Sequence, residues 1–353
     1  MSDFQRYMHL QAGRAYRIGA AFDSFIDTQI GIGAGTRERA SASHSALRGY
    51  LRGLAQENEG FPRILRDTDR DFLGGSFARH TKIWPLNDID VYLPIDGTGL
   101  VYSQGGFQAP YTVLTDEVLD TNPLAVDRDR WWDGGYLSSA KLINGFAEAL
   151  RSNYPVTTRV RRVGEAVMVT LSNDLGFDVV PCFSLKPHAA YEDPFYLIPD
   201  GSNGWIKTNP RLDQQLSDEL HRKNNRSLRR AVKLFKWWSN EFVGGRIESY
   251  YAELAIMRAF ELQNRLGTTI TSVSVGTCVA FQAVRDAVRA GDLPPILNGS
   301  PAVESGALTT TDLTRINQAV ANGDRAIRHE QADQIEEAFE AWRAVFGHEF
   351  PTA

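Results

Sequence analysis

Gly74-Gly75-Ser76-Phe77, followed twelve residues beyond the serine by Asp88-Ile89-Asp90-Val91-Tyr92-Leu93, is the stretch on which the reading of this chain turns. Side chains at i and i+2 of an extended strand share a face. Asp88 and Asp90 therefore project together, while Ile89, Val91 and Leu93 enter the opposite, apolar face. Two like charges so close repel, and burial raises their proton affinity. A cation between the carboxylates removes both penalties. Hard divalent cations take oxygen ligands, and Mg²⁺ typically uses one or two carboxylates together with substrate phosphates. The glycines upstream let backbone amides approach and cradle an anion. Phosphoryl or nucleotidyl transfer is the chemistry that suits these residues.

The rest of the composition bounds that reading. A chain of 353 residues is long enough for two domains, and 42% hydrophobic with 23% charged residues is ordinary for a globular protein. No apolar run is long enough to span a bilayer, and the N-terminal MSDFQRYMHLQAGRAYRIG lacks the apolar segment of a signal peptide. Cys182 and Cys278 lie far apart and form no CxxC, which fits a reducing compartment without a zinc ribbon. A cytoplasmic protein is expected. A net charge of −5 argues against a protein that coats nucleic acid non-specifically.

Periodicity divides the chain. Residues 1–58 read mostly as helix, with Leu47, Leu51 and Leu54 on one face and a break at Gly31-Ile32-Gly33. After the strand at Ile89–Leu93, residues 94–134 are rich in Gly, Pro and Asp and read as a loop-heavy insertion with short helices. Ser138–Leu150 reads as a helix. Arg159–Val163 and Ala166–Leu171 alternate like strands, and Asn173–Gly176 turns the chain into a further strand, Phe177–Pro181. A Pro- and Gly-rich connection over Pro187–Pro210 leads to a nearly all-helical C-terminal half. The expected units are thus 1–210 and 211–353.

Asp178 is the only acid in the apolar strand Phe177–Pro181, and with Asp88 and Asp90 it makes a three-carboxylate set drawn from two strands. Two metal ions roughly 3.5–4 Å apart need bridging acids, and a third acid can bind one metal and orient the attacking hydroxyl. The plainer alternative is a pair of surface acids on an edge strand and a third beside a turn.

Gly74-Gly75-Ser76-Phe77 with Thr81, then Asn87-Asp88-x-Asp90-Val91-Tyr92-Leu93, resembles the signature of DNA polymerase β-like nucleotidyltransferases. More narrowly, the chain resembles the bacterial cGAS/DncV-like nucleotidyltransferases (CD-NTases), relatives of cGAS and oligoadenylate synthetase. Leu197-Ile-Pro-Asp-Gly201 with Trp205-Ile-Lys-Thr-Asn-Pro210 is similar to a segment those enzymes carry after the third acid. Lys236-Trp-Trp and Glu248-Ser249-Tyr250-Tyr251 are similar to their C-terminal lobe, and the helical N-terminus to their spine helix.

The resemblance implies an α/β (α+β) fold: a nucleotidyltransferase lobe with a mixed sheet and spine helix, a helical lobe, and a cleft between them. It implies that Gly75 and Ser76 hold the donor phosphates. Asp88 and Asp90 would bind two Mg²⁺ ions, with Mn²⁺ an alternative. Asp178 would bind the catalytic metal and help deprotonate the acceptor hydroxyl. The implied activity is synthesis of a cyclic di- or trinucleotide second messenger from NTPs, with pyrophosphate release. The implied setting is CBASS-type antiphage signalling, in which the product activates a separate effector. The zinc ribbon through which cGAS engages DNA has no counterpart here. The C-terminal Phe-Pro-Thr-Ala ends in a small residue, and some relatives are conjugated through such an end, so a regulatory or conjugating partner stays open.

His221–Trp238 carries Arg222, Lys223, Arg226, Arg229, Arg230, Lys233 and Lys236 without an acid. Read as one helix, it turns most of these cations to one face and Leu228, Ala231, Val232, Phe235 and Trp238 to the other. The alternative to a ligand-binding face is a solvated one. The resemblance places a lysine here on the donor triphosphate, Lys236 with Lys233 one turn earlier as its competitor, accompanied by Ser249. Tyr250 can stack on a base or fill a core. Arg159 and Arg161 share a strand face that is either solvated or lines the cleft. His80 reads as a surface histidine, and Trp131-Trp132 and Trp237-Trp238 as core or interface. Three other functions compete: a nucleotidyltransferase acting on a tRNA, protein or small-molecule acceptor, a non-catalytic nucleotide- or RNA-sensing module, and a scaffold whose partner interactions matter more than turnover.

Overall fold

Helical spacing of apolar residues carries the start of the chain into a packed core. The computed structural model describes residues 17–65, 72–106, 109–115, 122–154, 157–185, 195–294 and 302–353. The first sixteen residues, read above as helix, lie outside these, as does the start of the Pro187–Pro210 connection. Helix α1 (residues 17–25) continues as a π-helical turn, Ile26–Ile30, and α2 (Ala34–Glu57) follows. Then come β1 (Phe72–Leu73), α3 (Gly75–Ala78), β2 (Ile89–Pro94), β3 (Leu100–Gln104) and β4 (Tyr111–Thr115). Two short helices, α4 (Pro123–Val126) and α5 (Arg128–Trp131), precede a small hairpin, β5 (Trp132–Asp133) and β6 (Tyr136–Leu137). Helix α6 (Ser139–Asn153) leads to β7 (Thr157–Val163), β8 (Ala166–Leu171), β9 (Gly176–Ser184), β10 (Tyr196–Pro199) and β11 (Trp205–Thr208). The remainder is helical: α7 (Pro210–Lys223), α8 (Ser227–Val243), α9 (Ser249–Arg265), α10 (Val273–Ala290), α11 (Thr310–Gln331) and α12 (Ile335–Phe346).

The fold is mixed α/β, with a mixed sheet and a helical C-terminal part. The sheet runs β1-β2-β9-β10-β11-β4-β3, and β8 with β7 branches from β9. Only the β2–β9 pairing in it is parallel; its other ladders among the described residues are antiparallel. Ile89, Val91 and Leu93 enter one core with Leu47 and Leu51 of α2, Leu142, Ile143 and Phe146 of α6, and Phe177 and Val179 of β9. The opposite face of the same strands holds a smaller cluster, Val180, Cys182 and Tyr196 with Tyr92. Asp90 and Asp178 alternate onto that second face.

Three local readings are corrected. Residues 94–134 contain two strands as well as short helices: Leu100–Gln104 and Tyr111–Thr115 are rich in β-branched and aromatic residues and pair with each other. The connection before Pro210 contains the β10–β11 hairpin, whose turn is held by Asp200 Oδ1, accepting from Ser202 and Gly204 N–H at 2.8 and 3.0 Å. His221–Trp238 is two helices. Asn224 donates to the Leu220 carbonyl and accepts from Ile270 N–H (2.8 and 2.7 Å), and Asn225 and Arg226 adopt left-handed backbone. Asparagine side chains compete with helical backbone bonds and tolerate that conformation.

A separate core joins α1 and the following turn to α8–α12. Phe25 is ringed within it, meeting Trp237 at 4.8 Å, Phe350 at 5.4 Å and Phe346 at 5.5 Å. Trp131, Trp132 and Trp238 are buried, as core residues. No described helix is long and apolar enough to cross a membrane. Phe25→Ala is expected to cost about 3–5 kcal/mol, the usual range for deleting a buried aromatic ring. Urea unfolding followed by far-UV circular dichroism measures it, and a loss under about 1 kcal/mol would mean that α1 does not brace this core.

Candidate active site

Backbone proximity builds the site, and three glycines permit it. Gly74 N–H donates to the Asp90 carbonyl at 3.0 Å, laying the turn directly against β2. A Cβ at Gly74 would overlap the Tyr92 ring, and one at Gly75 would overlap the Asp90 carboxyl group. Gly75 also has φ +56°, which side-chain-bearing residues rarely adopt. Gly176 opens β9, donates to the Leu86 carbonyl at 2.9 Å, and leaves no room for a Cβ beside the Asn87 carbonyl. The residue before Asp88 is thus pressed onto the strand that carries Asp178. Gly176 reads in the sequence as a turn residue only; its packing role has no local signal.

The parallel register puts Asp90 opposite Asp178. Asp88 falls just before the strand, on an exposed loop end, where Lys82 ion-pairs with it. Lys82 Nζ also donates to Asn87 Oδ1 at 3.3 Å. Its loop is clamped by the Ser76 carbonyl, which accepts from Thr81 and Lys82 N–H at 2.9 and 3.0 Å. Sequence reasoning missed Lys82. The available signal was a cation six residues before the acid and close to the turn.

Electrostatics follow from this packing. Burial raises the proton affinity of Asp90, against the opposing pull of Arg79 and Lys82. Burial, then repulsion by Asp90, pushes Asp178 up to about 6, with Lys82 and Arg161 opposing. Arg161 lies in the same cross-strand row, opposite Met168, which in turn faces Asp178. Burial and the neighbouring Lys236 bring Lys82 down to about 8, although Asp90 and Asp178 favour its charge. Among the described residues, no three His, Cys, Asp or Glu side chains stand close enough together to hold a metal ion as they are. Asp90 and Asp178 form a desolvated carboxylate pair suited to a hard cation. Lys82, ion-paired with Asp88, is the positive charge this chain itself supplies there.

The helical lobe brings further cations. Lys236 is buried and ion-paired with Glu253, whose other oxygen accepts from Arg79 Nε at 2.8 Å. Burial works against the Glu253 charge, but Arg79 and Lys236 overcome it and hold the carboxyl down to about 2. Lys233, one turn before Lys236, is half-buried; burial and the neighbouring Arg37 and Arg229 bring it down to about 8. Arg229 and Arg230 are paired with Asp218 and Asp23, so the basic face is partly neutralised. Ser249 is exposed at the first turn of α9. The Tyr250 hydroxyl donates to Asp213 at 2.8 Å, and the Arg79 guanidinium lies 5.4 Å from its ring centroid. Arg159 is exposed, and His80 is exposed just beyond α3.

A glycine turn lies on a strand that bears one of two registered aspartates, and a helical lobe backs both. CdnC of E. coli MS115-1, solved with ATP, has this fold. It superimposes with a TM-score of 0.61 at 16% identity over 94% of this chain and 98% of that one. CdnC in complex with HORMA-deltaN gives the same TM-score and coverage at 17% identity. No family model matches the chain. A probable cyclic nucleotide synthase of Bacillus cereus (strain VD146) is 30% identical over 349 residues, 94% of this chain and 97% of that protein. The chain belongs to that family, the cyclic nucleotide synthases of CD-NTase type, and is a nucleotidyltransferase.

The raised Asp178 has a testable consequence for the metal-free protein. A carboxyl whose proton affinity is higher folded than unfolded stabilises the fold below its unfolded pKa, and that stability is lost as pH rises to about 6. Asp178→Asn removes the dependence. In chelator-treated protein its stability, followed by thermal melting, is expected to match wild type near pH 4 and exceed it above about pH 6, by up to roughly 3 kcal/mol. Parallel melting curves across that window would refute the assignment.

Proposed function

We propose that this chain makes a cyclic di- or trinucleotide signal from NTPs, releasing pyrophosphate, in a CBASS-type antiphage response. The observation that carries the proposal is the contact of the Gly74-Gly75-Ser76 turn with Asp90, next to Asp178 in register. In this reading the amides of Gly75 and Ser76 and the Ser76 hydroxyl hold the donor β- and γ-phosphates. Mg²⁺, held by Asp88, Asp90 and Asp178, would supply charge neutralisation at the phosphates and a lowered pKa for the attacking hydroxyl. For Asp88 to take part, Lys82 must release it.

The chain's own residues do the remainder. Asp178, with its raised proton affinity, takes the proton of the acceptor 2′- or 3′-hydroxyl. The acceptor oxygen forms a bond to the α-phosphorus as the bond to the bridging oxygen of pyrophosphate breaks on the opposite side. A second such transfer closes a dinucleotide ring, and a third closes a trinucleotide one, each releasing pyrophosphate. Lys236 is already paired with Glu253, which makes Lys233 the stronger candidate for direct phosphate contact from α8, alongside Ser249. Tyr250 offers a ring for a base, steadied by Asp213. A separate effector would respond to the product. A regulatory protein also belongs to this reading, because the structural neighbour CdnC is found in complex with HORMA-deltaN.

Incubation with the four NTPs and Mg²⁺ or Mn²⁺, without any other acceptor, followed by mass spectrometry, is expected to yield a cyclic oligonucleotide. Asp88→Ala with Asp90→Ala is expected to abolish product and pyrophosphate release while leaving the melting temperature equal or higher, because a like-charge repulsion is gone. Synthesis that persists in the double variant would sink the carboxylate assignment. Lys233→Met is expected to raise the NTP concentration needed for half-maximal rate about tenfold. An unchanged requirement would return the contact to Lys236.

A further inference from the structure

Glu253 is 1% exposed and belongs to α9, yet it bonds two cations from distant parts of the chain. Its Oε2 accepts from Arg79 Nε at 2.8 Å, across 174 residues of sequence, and its Oε1 pairs with Lys236 of α8. Arg79 and Lys236 are themselves only 5% and 6% exposed. Arg79 ends the α3 turn: its N–H donates to the Gly75 carbonyl at 3.2 Å. The residue whose backbone closes the glycine turn therefore has its side chain anchored in the helical lobe.

We infer that Glu253 is a positioning residue for the nucleotidyltransfer site, fixing the Gly75–Ser76 turn through Arg79 and holding Lys236 away from the aspartates. The charges make the case. Two buried cations, a guanidinium and an ammonium, share one carboxylate; Asp90 is the next anion for Lys236, and Asp213 the next for Arg79, which Asp90 also attracts. Without the Glu253 charge, Lys236 is left with Asp90, and Arg79 with Asp213 and Asp90. Lys236 would turn toward Asp90, and Arg79 would leave the position that Glu253 now fixes. The Arg79 backbone would move with its side chain, and the Gly75 carbonyl it holds would move with it. The Tyr250 ring lies 5.4 Å from the guanidinium and its hydroxyl donates to Asp213, so Arg79 also has neighbours from α7 and α9.

The inference rests on the nucleotidyltransferase reading of the turn, and the test separates the two. Glu253→Gln keeps the size of the side chain and removes its charge. In metal-free full-length protein, amide hydrogen exchange over residues 74–82 is expected to quicken about tenfold, with α6 and α10 unchanged. Lys236→Met, which leaves the Arg79 bond in place, is expected to keep wild-type exchange there. Binding of Mg²⁺ with a non-hydrolysable ATP analogue should weaken about tenfold in Glu253→Gln. Its kcat per titrated active site should fall less than KM rises. If Glu253→Gln does not fold, Arg79→Gln carries the same exchange measurement. Wild-type exchange over 74–82 in the folded variant, or quickening spread evenly through the helical core, would overturn the inference. Should wild type fail to bind the analogue while the exchange contrast holds, the nucleotide reading fails and the positioning role stands.

Discussion

The space that a side chain at position 75 would fill is occupied by the carboxyl group of Asp90. That exclusion ties together what sequence separates. It obliges the turn to lie on β2, and the Gly74 bond to the Asp90 carbonyl holds it there. On the far side, Gly176 brings the start of β9 against Asn87, so the loop entering β2 is fixed from both directions. The parallel ladder between β2 and β9 then leaves Asp90 and Asp178 no choice but to stand side by side. The apolar side of these strands packs on α2 and α6 and gives the ladder its rigidity. A backbone arrangement this tight sets positions without depending on flexible side chains, which is what in-line transfer requires.

Two carboxylates so placed are an electrostatic liability in the resting chain. Their burial and mutual repulsion favour protons, and Lys82 and Arg79 offset this only in part. Lys82 comes from the same loop that the Ser76 carbonyl clamps, so the glycine turn also delivers the compensating cation. Its own charge is weakened by burial and by Lys236. The local field thus sits between two poor solutions, protonated acids or a strained lysine. A dication between the acids would resolve both at once.

Much of this was legible. Alternation in Ile89–Leu93 announces a strand with one apolar face, and the same face is buried. The strands at Arg159–Leu171 and Phe177–Pro181 and the helix near Ser138–Leu150 stand close to where periodicity puts them. Short strands in Gly- and Pro-rich surroundings, such as Leu100–Gln104 and Tyr196–Pro199, were hidden because the turn-rich sequence around them masks their own β-forming residues until their partners are known. The split at Asn224–Arg226 depends on Ile270, far along the chain, which accepts no sequence shorthand. The association of α1 with the C-terminal helices is of the same kind. Lys236 was visible as a cation on an amphipathic helix. Its partner Glu253 was not, because a lone glutamate in an apolar helix carries no sign of which cations surround it.

That hidden partner changes how the cations of the helical lobe are understood. A lysine facing a cleft is usually imagined as waiting for phosphate, but a fully buried one without an anion would lose its charge. Glu253 opposes the loss of charge that burial imposes on Lys236 and raises the proton affinity of Arg79, so it favours a positive potential held in a buried cluster. Lys233, Arg37 and Arg229 extend the potential toward the surface, where their mutual repulsion is relieved only by neighbouring acids or an incoming anion. In a chain whose net charge is −5, this concentration is local and oriented. Through Glu253, Lys236 of α8 is tied to Arg79, which ends the α3 turn on the Gly75 carbonyl. Glu253 thus joins the two mechanically, without a covalent bond to either.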